Sequence, residues 1–376
     1  MSDQQRVLPP DGLPSGPVLR AAELPVRPKN IPRSQANAPF FVGVDLGGTN
    51  MKIGVVDDDA KTLSYLVVPT EVEKGPIDST RRMADAIRAA TLQAGLQHGD
   101  IARVGLGSPG TMDIPGGKFV KPANFPGWEL FPIRDTLAEF CNIPVSYDND
   151  ANVAAFGEAW VGSAREYDSL IMLTLGTGIG CGIVVNGRTL IGQNSHAGES
   201  GHNIVDPSDD ARLCNCGKRG HYEAYASATG VARRTYDLLE VKNVPTSLHE
   251  RIDVETMTTL DKSKLPKLVW EEAKAGDELS LQIIRETAKW LAVGLATLMH
   301  TIDPHCVLIG GAMTFGGPGD PIGDLFLETI RREVAQRVYP ILAERTIIKY
   351  AELGADAGYL GAAGVTRADY YADKGR

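Results

Sequence analysis

Cysteine is scarce in this 376-residue chain: there are five, an odd number, without the spacing of a disulfide framework. That scarcity excludes a small scaffold stapled by disulfides and fits a reducing compartment, the cytoplasm. Positive charge is also short. A net charge of −9 offers no clustered basic face for neutralising a duplex, so nucleic acid is not an expected partner. No apolar run approaches the roughly 20 residues of a bilayer span. The opening MSDQQRVLPPDGLPSGPVLR lacks the apolar core of a secretory signal, so no membrane partner is expected either. Hydrophobic residues still make up 43% of the chain, and its length suits two domains of about 100–200 residues, each with its own core.

Eight of the 23 prolines fall within the first 39 residues. They leave no room for the amphipathic helices of a helix-turn-helix, and residues 1–38 read as a disordered or loosely docked tail. From Phe40 the pattern changes. FFVGVDL and MKIGVVD form two strands around the turn GGTN, and LSYLVV forms a third. A helical spacing over 76–97, the strand IARVGLG, the helix PIRDTLAEF and the strand IPVSYDND follow, the order of an α/β domain with a mixed sheet. The second half opens the same way, with SLIMLTLGTGIGCGIVV as strand, glycine turn and strand. TLGTGIGCGIVV (174–185) aligns with DLGGTNMKIGVV (45–56) at Leu175, Gly176, Val184 and Val185, a weak repeat of one hairpin. A long amphipathic helix over 277–302, the buried strand HCVLIGGAM, a helix near 322–338 and the strand TIIKYAEL complete a second α/β half, with a cleft expected between the two. The helix stripe reads as core rather than contact surface.

The two glycine turns point to phosphate. Such turns let backbone N–H groups converge on an anion. In DLGGT, Asp45 can hold magnesium and the Thr49 hydroxyl can donate to a phosphate. LGTGIG repeats the arrangement with Gly176, Thr177 and Gly178. Each turn alone is also a plain hairpin turn, and neither is a Walker loop, because no GK[ST] follows. A third glycine pair at a strand end, Gly310 and Gly311 in LIGGA, favours a nucleotide between the domains.

In SYDNDANVAAFGEAW three polar residues, Asp148, Asn149 and Asp150, precede a helix. One of the first two is the expected N-cap. A cap needs only one residue, and strand ends facing a crevice are where open α/β sheets bind ligands. Asp150 is therefore the expected base, taking the proton of an alcohol that attacks a phosphoryl group.

LCNCGKRGHYE supplies Cys214, Cys216 and His221, and SHAGESGHNI adds His202. Two thiolates and two imidazoles fill a tetrahedral zinc site with no position for water, so a structural ion is expected. Unliganded surface thiols are the competing reading. A zinc there would fix Glu199 and Glu223, and a rigid pair of carboxylates suits a ligand rich in hydroxyls. Otherwise the two are solvated surface charges.

Together these residues resemble the ROK family of sugar kinases and sugar-responsive repressors, most closely its bacterial-type glucokinases. The likeness runs from about Phe40 to the C-terminus through VDLGGTN, GLGSPGTMD, NFPGW, DNDANVAA, LTLGTGIG, the ESGH element, CNCGKRGHYE and LIGGA. It implies an actin-like ATPase (ribonuclease H-like) fold. The small α/β domain would comprise 39–149 plus about 364–376, and 150–363 would form a large α/β domain with the zinc site. It also implies Asp150 as the base for the sugar 6-hydroxyl, with Asn124, Asn149, Glu199, His202 and Glu223 on the other hydroxyls. Asp45, Gly47, Gly48 and Thr49 would form the first phosphate loop and Gly176, Thr177 and Gly178 the second, with Gly310 and Gly311 beside the adenosine. One position departs from the family pattern. His221 stands where a third cysteine is usual, so it ligates, weakens the site or loses the ion; the first is expected. The short tail, without a helix-turn-helix, favours the enzyme over the repressors.

The expected activity is ATP-dependent phosphorylation of glucose to glucose 6-phosphate, with ATP, Mg2+ and Zn2+ as cofactors and a homodimer or homotetramer as the family's usual assembly. The rivals are a kinase for mannose, fructose or an N-acetylated amino sugar, a polyphosphate-using enzyme, and a sugar sensor without catalysis.

Overall fold

A computed structural model describes residues 30–241, 244–252 and 264–375. The first sheet is built from β1 (Phe40–Leu46), β2 (Asn50–Val56), β3 (Thr62–Pro69), β4 (Ile101–Ser108) and a later strand, β7 (Val145–Asn149). β5 (Thr111–Asp113) and β6 (Lys118–Lys121) form a small separate hairpin. The sheet order is β3-β2-β1-β4-β7, antiparallel through the hairpins β1–β2 and β2–β3 and parallel beyond β1. Helices α1 (Pro76–Gln93) and α2 (Ile133–Cys141) supply the two crossovers. Val42, Val44, Ile53, Met83, Ile87 and Leu106 meet in its core.

The second sheet repeats this plan. β8 (Ser169–Leu175), β9 (Ile179–Val185), β10 (Arg188–Thr189), β11 (Cys306–Gly311) and β12 (Ile347–Tyr350) lie in the order β10-β9-β8-β11-β12, with the same change from antiparallel to parallel pairing. The weak hairpin repeat in the sequence is thus the start of a repeated topology.

α3 (Asp150–Trp160) leaves β7 and packs against β8 and β9 of the second sheet. The insert between β10 and β11 carries α4 (Glu223–Ala226), α5 (Ala228–Val241), α6 (Leu248–Arg251), α7 (Leu265–Lys274) and α8 (Glu278–Ile302). α9 (Pro321–Ala335) and α10 (Pro340–Arg345) precede β12, and α11 (Ala357–Asp373) closes the described chain. The stripe expected along α8 is core: Ile284, Ala288, Leu291 and Leu295 are buried with Ile171, Leu173 and Phe326. Asp277 caps that helix, accepting from the Ser280 N–H at 2.8 Å.

α3 and α11 cross between the two sheets. A Cβ on Gly361 would sit 1.6 Å from the Val153 carbonyl, so only glycine permits the approach. Of the proline-rich tail, residues 1–29 lie outside the described residues. Residues 30–38 lie against the first domain: the Ile31 N–H donates to the Thr62 carbonyl at 2.8 Å, and Arg33 stacks over Phe40.

Candidate functional site

Asp150 is the first residue of α3, where β7 ends at the cleft. Asn149 is the N-cap, its Oδ1 accepting from the Ala151 N–H at 2.9 Å, and Asp150 Oδ1 accepts from the same N–H at 2.8 Å. The residue before them is buried. Asp148 Oδ1 accepts from the Asn149 N–H and the Asn152 amide, both at 2.7 Å, and Oδ2 accepts from the Thr189 hydroxyl at 2.9 Å. Asp148 thus ties β7 and α3 to β10 of the other sheet. Burial pushes the Asp150 carboxyl up to about 6, with the negative charges of Asp45 and Glu199 adding to the rise. A base of that strength is ionised at neutral pH yet still takes a proton readily.

Asn149, Asp150, Glu199 and His202 line one cavity of about 250 Å³, together with Thr111, Lys121 and Cys181. A short 3-10 turn, Ser200–His202, spaces Glu199 and His202 three residues apart, so both side chains share a face. His202 Nε2 lies 3.9 Å from Glu199 Oε2, while Nδ1 faces the Cys214 thiol, also at 3.9 Å. Asn124 and Glu223 do not line this cavity. Asn124 sits in an exposed loop across from Gly48. Glu223 lies against the second glycine turn: its Oε2 accepts from the Ile179 N–H at 3.2 Å, and Cys214 donates to Oε1 at 3.6 Å. Gly178 makes room for it, since a Cβ there would stand 2.2 Å from Glu223 Oε2.

His202, Cys214, Cys216 and His221 come together as the spacing predicts. Their ligand atoms lie within 4.8 Å of one another, and Cys216 Sγ is 3.1 Å from His221 Nδ1. Zinc bonds of about 2.0–2.3 Å in a tetrahedron put ligand atoms roughly 3.3–3.8 Å apart, so the set fits zinc after a small contraction. The backbone brings them close. The Cys214 N–H donates to the Lys218 carbonyl at 2.7 Å around a tight turn, and His221 pairs with Ile204, two residues beyond His202. Burial and the neighbouring His202 hold the His221 imidazole below its ordinary value, keeping it neutral as a ligand must be.

The first glycine turn closes on itself, the Gly47 N–H donating to the Asn50 carbonyl at 3.0 Å, and leaves Gly48 and Thr49 exposed. Asp45 is paired: Lys52 donates to its Oδ2 at 2.9 Å and to the Ala355 carbonyl at 3.3 Å. Burial lowers the Lys52 affinity for its proton, but the charge and hydrogen bond of Asp45, with smaller contributions from Tyr65 and Asp356, together outweigh it and the net shift is upward. Lys52 is a site residue the sequence did not single out. The hairpin register, which sets Asp45 opposite Lys52, is the signal that carries it. With its second oxygen unpaired by Lys52, Asp45 suits magnesium, which binds through one or two carboxylates, waters and substrate phosphates.

The second turn closes likewise, the Gly176 N–H donating to the Gly178 carbonyl at 3.0 Å. Gly176 and Thr177 form one wall of a second cavity, about 350 Å³, whose other walls include Pro266, Lys267, Trp270, Ala312, Met313 and Phe315. Gly311 backs onto the Leu175 backbone, and the residues that follow, Ala312 and Met313, reach the cavity. Flat aromatic and thioether walls suit a heteroaromatic base. Trp270 and Phe315 have no spacing signal, because only the folded chain brings α7 beside the end of β11.

A profile of the ROK family matches residues 41–368. The chain belongs to the ROK family. It has the actin-like ATPase fold of that family, with its duplicated sheets around a cleft. A glucokinase of Halalkalibacterium halodurans is 35% identical over 327 residues, 86% of this chain and 93% of that protein. The crystal structure of a ROK hexokinase from Thermus thermophilus superposes with a TM-score of 0.72 at 32% identity, covering 89% of this chain and 99% of that one. A ROK family glucokinase from Streptomyces griseus, solved in complex with glucose and AMPPNP, gives a TM-score of 0.65 at 31% identity over 86% of this chain and 98% of its own. Among the described residues no helix is long and apolar enough to cross a membrane.

Proposed function

We propose that this ROK protein is a glucokinase that transfers the terminal phosphoryl group of ATP to the 6-hydroxyl of glucose. The observation that carries the reading is the position of Asp150. It shares one cavity with Asn149, Glu199 and His202, and its pKa is raised to about 6, with Asp45 before the first glycine turn near enough to add to the rise. The glucokinases among its relatives favour glucose as the substrate.

In this reading Asn149, Glu199 and His202 hold the sugar hydroxyls, and Asn124 and Glu223 join them as the cleft closes. Asp150 accepts the 6-hydroxyl proton as the oxygen attacks the γ-phosphorus and the bond to ADP breaks. The turns at Gly47–Thr49 and Gly176–Gly178 offer N–H groups to the phosphates, and Trp270, Met313 and Phe315 enclose the base. Asp45 would hold magnesium, which neutralises phosphate charge. Zinc on His202, Cys214, Cys216 and His221 would keep His202 in place, with its other nitrogen toward Glu199. Phosphoryl transfer leaves little covalent work to the protein, so positioning and charge carry the rate.

A coupled assay with glucose, mannose, fructose and N-acetylated amino sugars, against ATP and polyphosphate, tests the assignment. Glucose with ATP is expected to give the highest kcat/KM. A higher value for another pair would reassign substrate or donor, and binding without turnover by any pair would make the chain a sensor.

A further inference from the structure

The first glycine turn is held from behind by a residue outside every motif named above. Thr70 follows β3 directly and is fully buried. Its hydroxyl donates to the Gly47 carbonyl at 2.6 Å, and its N–H donates to the Thr49 carbonyl at 2.9 Å. Thr70 is itself fixed, because the buried Ser79 hydroxyl in α1 donates to the Thr70 carbonyl at 2.9 Å.

The geometry of the peptide unit converts these bonds into a direction. A trans peptide is planar, with C=O and the following N–H on opposite sides. Drawing the Gly47 carbonyl into the domain therefore turns the Gly48 N–H outward. Gly48 is exposed, and among the described residues its N–H has no hydrogen-bond partner. A glycine peptide without such an anchor rotates readily and loses the direction of its donor.

We propose that Thr70 is a positioning residue for phosphoryl transfer: its paired bonds to Gly47 and Thr49 hold the Gly48 N–H toward the nucleotide phosphates. The inference rests on reading this turn as a phosphate site, and it assigns to Thr70 no contact with either substrate. Removing the hydroxyl frees the peptide but leaves both substrate cavities intact, so the defect belongs to the nucleotide and not to the sugar.

The test compares Thr70→Val, which keeps shape and N–H, with Thr70→Ser, which restores the hydroxyl. Thr70→Val is expected to lower kcat/KM for ATP by about ten- to a hundredfold, the scale of a misplaced positioning group. Its glucose dissociation constant, by calorimetry, should stay within about twofold, and Thr70→Ser should recover most of the loss. The AMPPNP dissociation constant is measured alongside; it should rise in Thr70→Val and recover in Thr70→Ser even if the parent transfers phosphate to no sugar, an outcome that would sink the kinase reading alone. Ser79→Ala removes only the outer bond and should shift the same nucleotide parameters by a few-fold; it decides the matter should Thr70→Val not fold. The proposal is overturned if the folded variants bind and use nucleotide like the parent, if Thr70→Ser is as impaired as Thr70→Val, or if glucose binding falls in parallel.

Discussion

Replacing the proposed base by its neutral isostere should make the protein more stable while it stops working. Asp150 ordinarily titrates near 3.8, and in the folded chain burial pushes it up to about 6. The folded state thus holds the proton more tightly than the unfolded one, and stability falls as pH rises through that interval. Below 3.8 both states are protonated and no penalty applies. Above about 6 both are ionised and the folded state carries the full cost of a charge facing Asp45 and Glu199. An interval of about 2 pH units at 1.36 kcal/mol each gives about 3 kcal/mol, which water entering the cavity reduces to about 2. Asp150→Asn removes this penalty, and its amide oxygen can still accept from the Ala151 N–H. Urea unfolding of parent and variant between about pH 4 and pH 8 is the assay. The stability difference should open from near zero at the acid end to about 2 kcal/mol in favour of the Asp150→Asn variant at the alkaline end. The same titration governs the rate. The base must be ionised, so kcat/KM of the parent should fall about tenfold per pH unit below about 6, while Asp150→Asn keeps glucose binding and loses turnover by several orders of magnitude. A difference that does not change with pH, or a variant less stable than the parent at the alkaline end, would refute the reasoning.

Three further outcomes follow from the geometry. Elemental analysis of the purified parent should find about one zinc per chain, and His221→Ala should lose it while raising the KM for sugar more than that for ATP, because His202 and Glu199 lose their anchor. Glu158 is fully buried and accepts four hydrogen bonds, from the Ser163 N–H and hydroxyl and from the Glu352 and Leu353 N–H groups. Glu158→Ala strands those donors and should cost about 3–5 kcal/mol in urea unfolding, whereas a loss below about 1 kcal/mol would contradict the accounting. Trp270→Ala removes a wall of the second cavity and should raise the KM for ATP about tenfold with little change in that for glucose, as measured by initial rates.

What the sequence made legible is what short-range chemistry fixes. The Asn149 cap is a matter of one turn of backbone. The Cys214–Cys216 pair and the two histidines meet because a tight turn and one bridge to Ile204 span little chain. The glycine turns are read from the glycines themselves. What stayed hidden depends on residues far apart. Lys52 pairs with Asp45 only in the register of a closed hairpin. Thr189 reaches Asp148 only after two sheets dock, and Trp270 and Phe315 line one cavity although α8 and β11 lie between them in the chain. Glu223 shows the converse: its place in the chain pointed to the sugar, and its hydrogen bond joins it to the second glycine turn.

The duplicated sheets explain why these features converge. In each half the first hairpin ends in a glycine turn, and parallel strands beside it place their own ends on the same side. The two halves thus carry matching glycine turns, the pair proposed for the nucleotide phosphates. β7 is the last strand of the first sheet, and α3 runs from it onto the second, so the residue at their junction belongs to both halves. Asp150 occupies that junction. Asp148, bonded to Thr189 on the second sheet, fixes the junction from inside. The proposed base thus stands where the two sheets join, beside the cavity that Glu199 and His202 line.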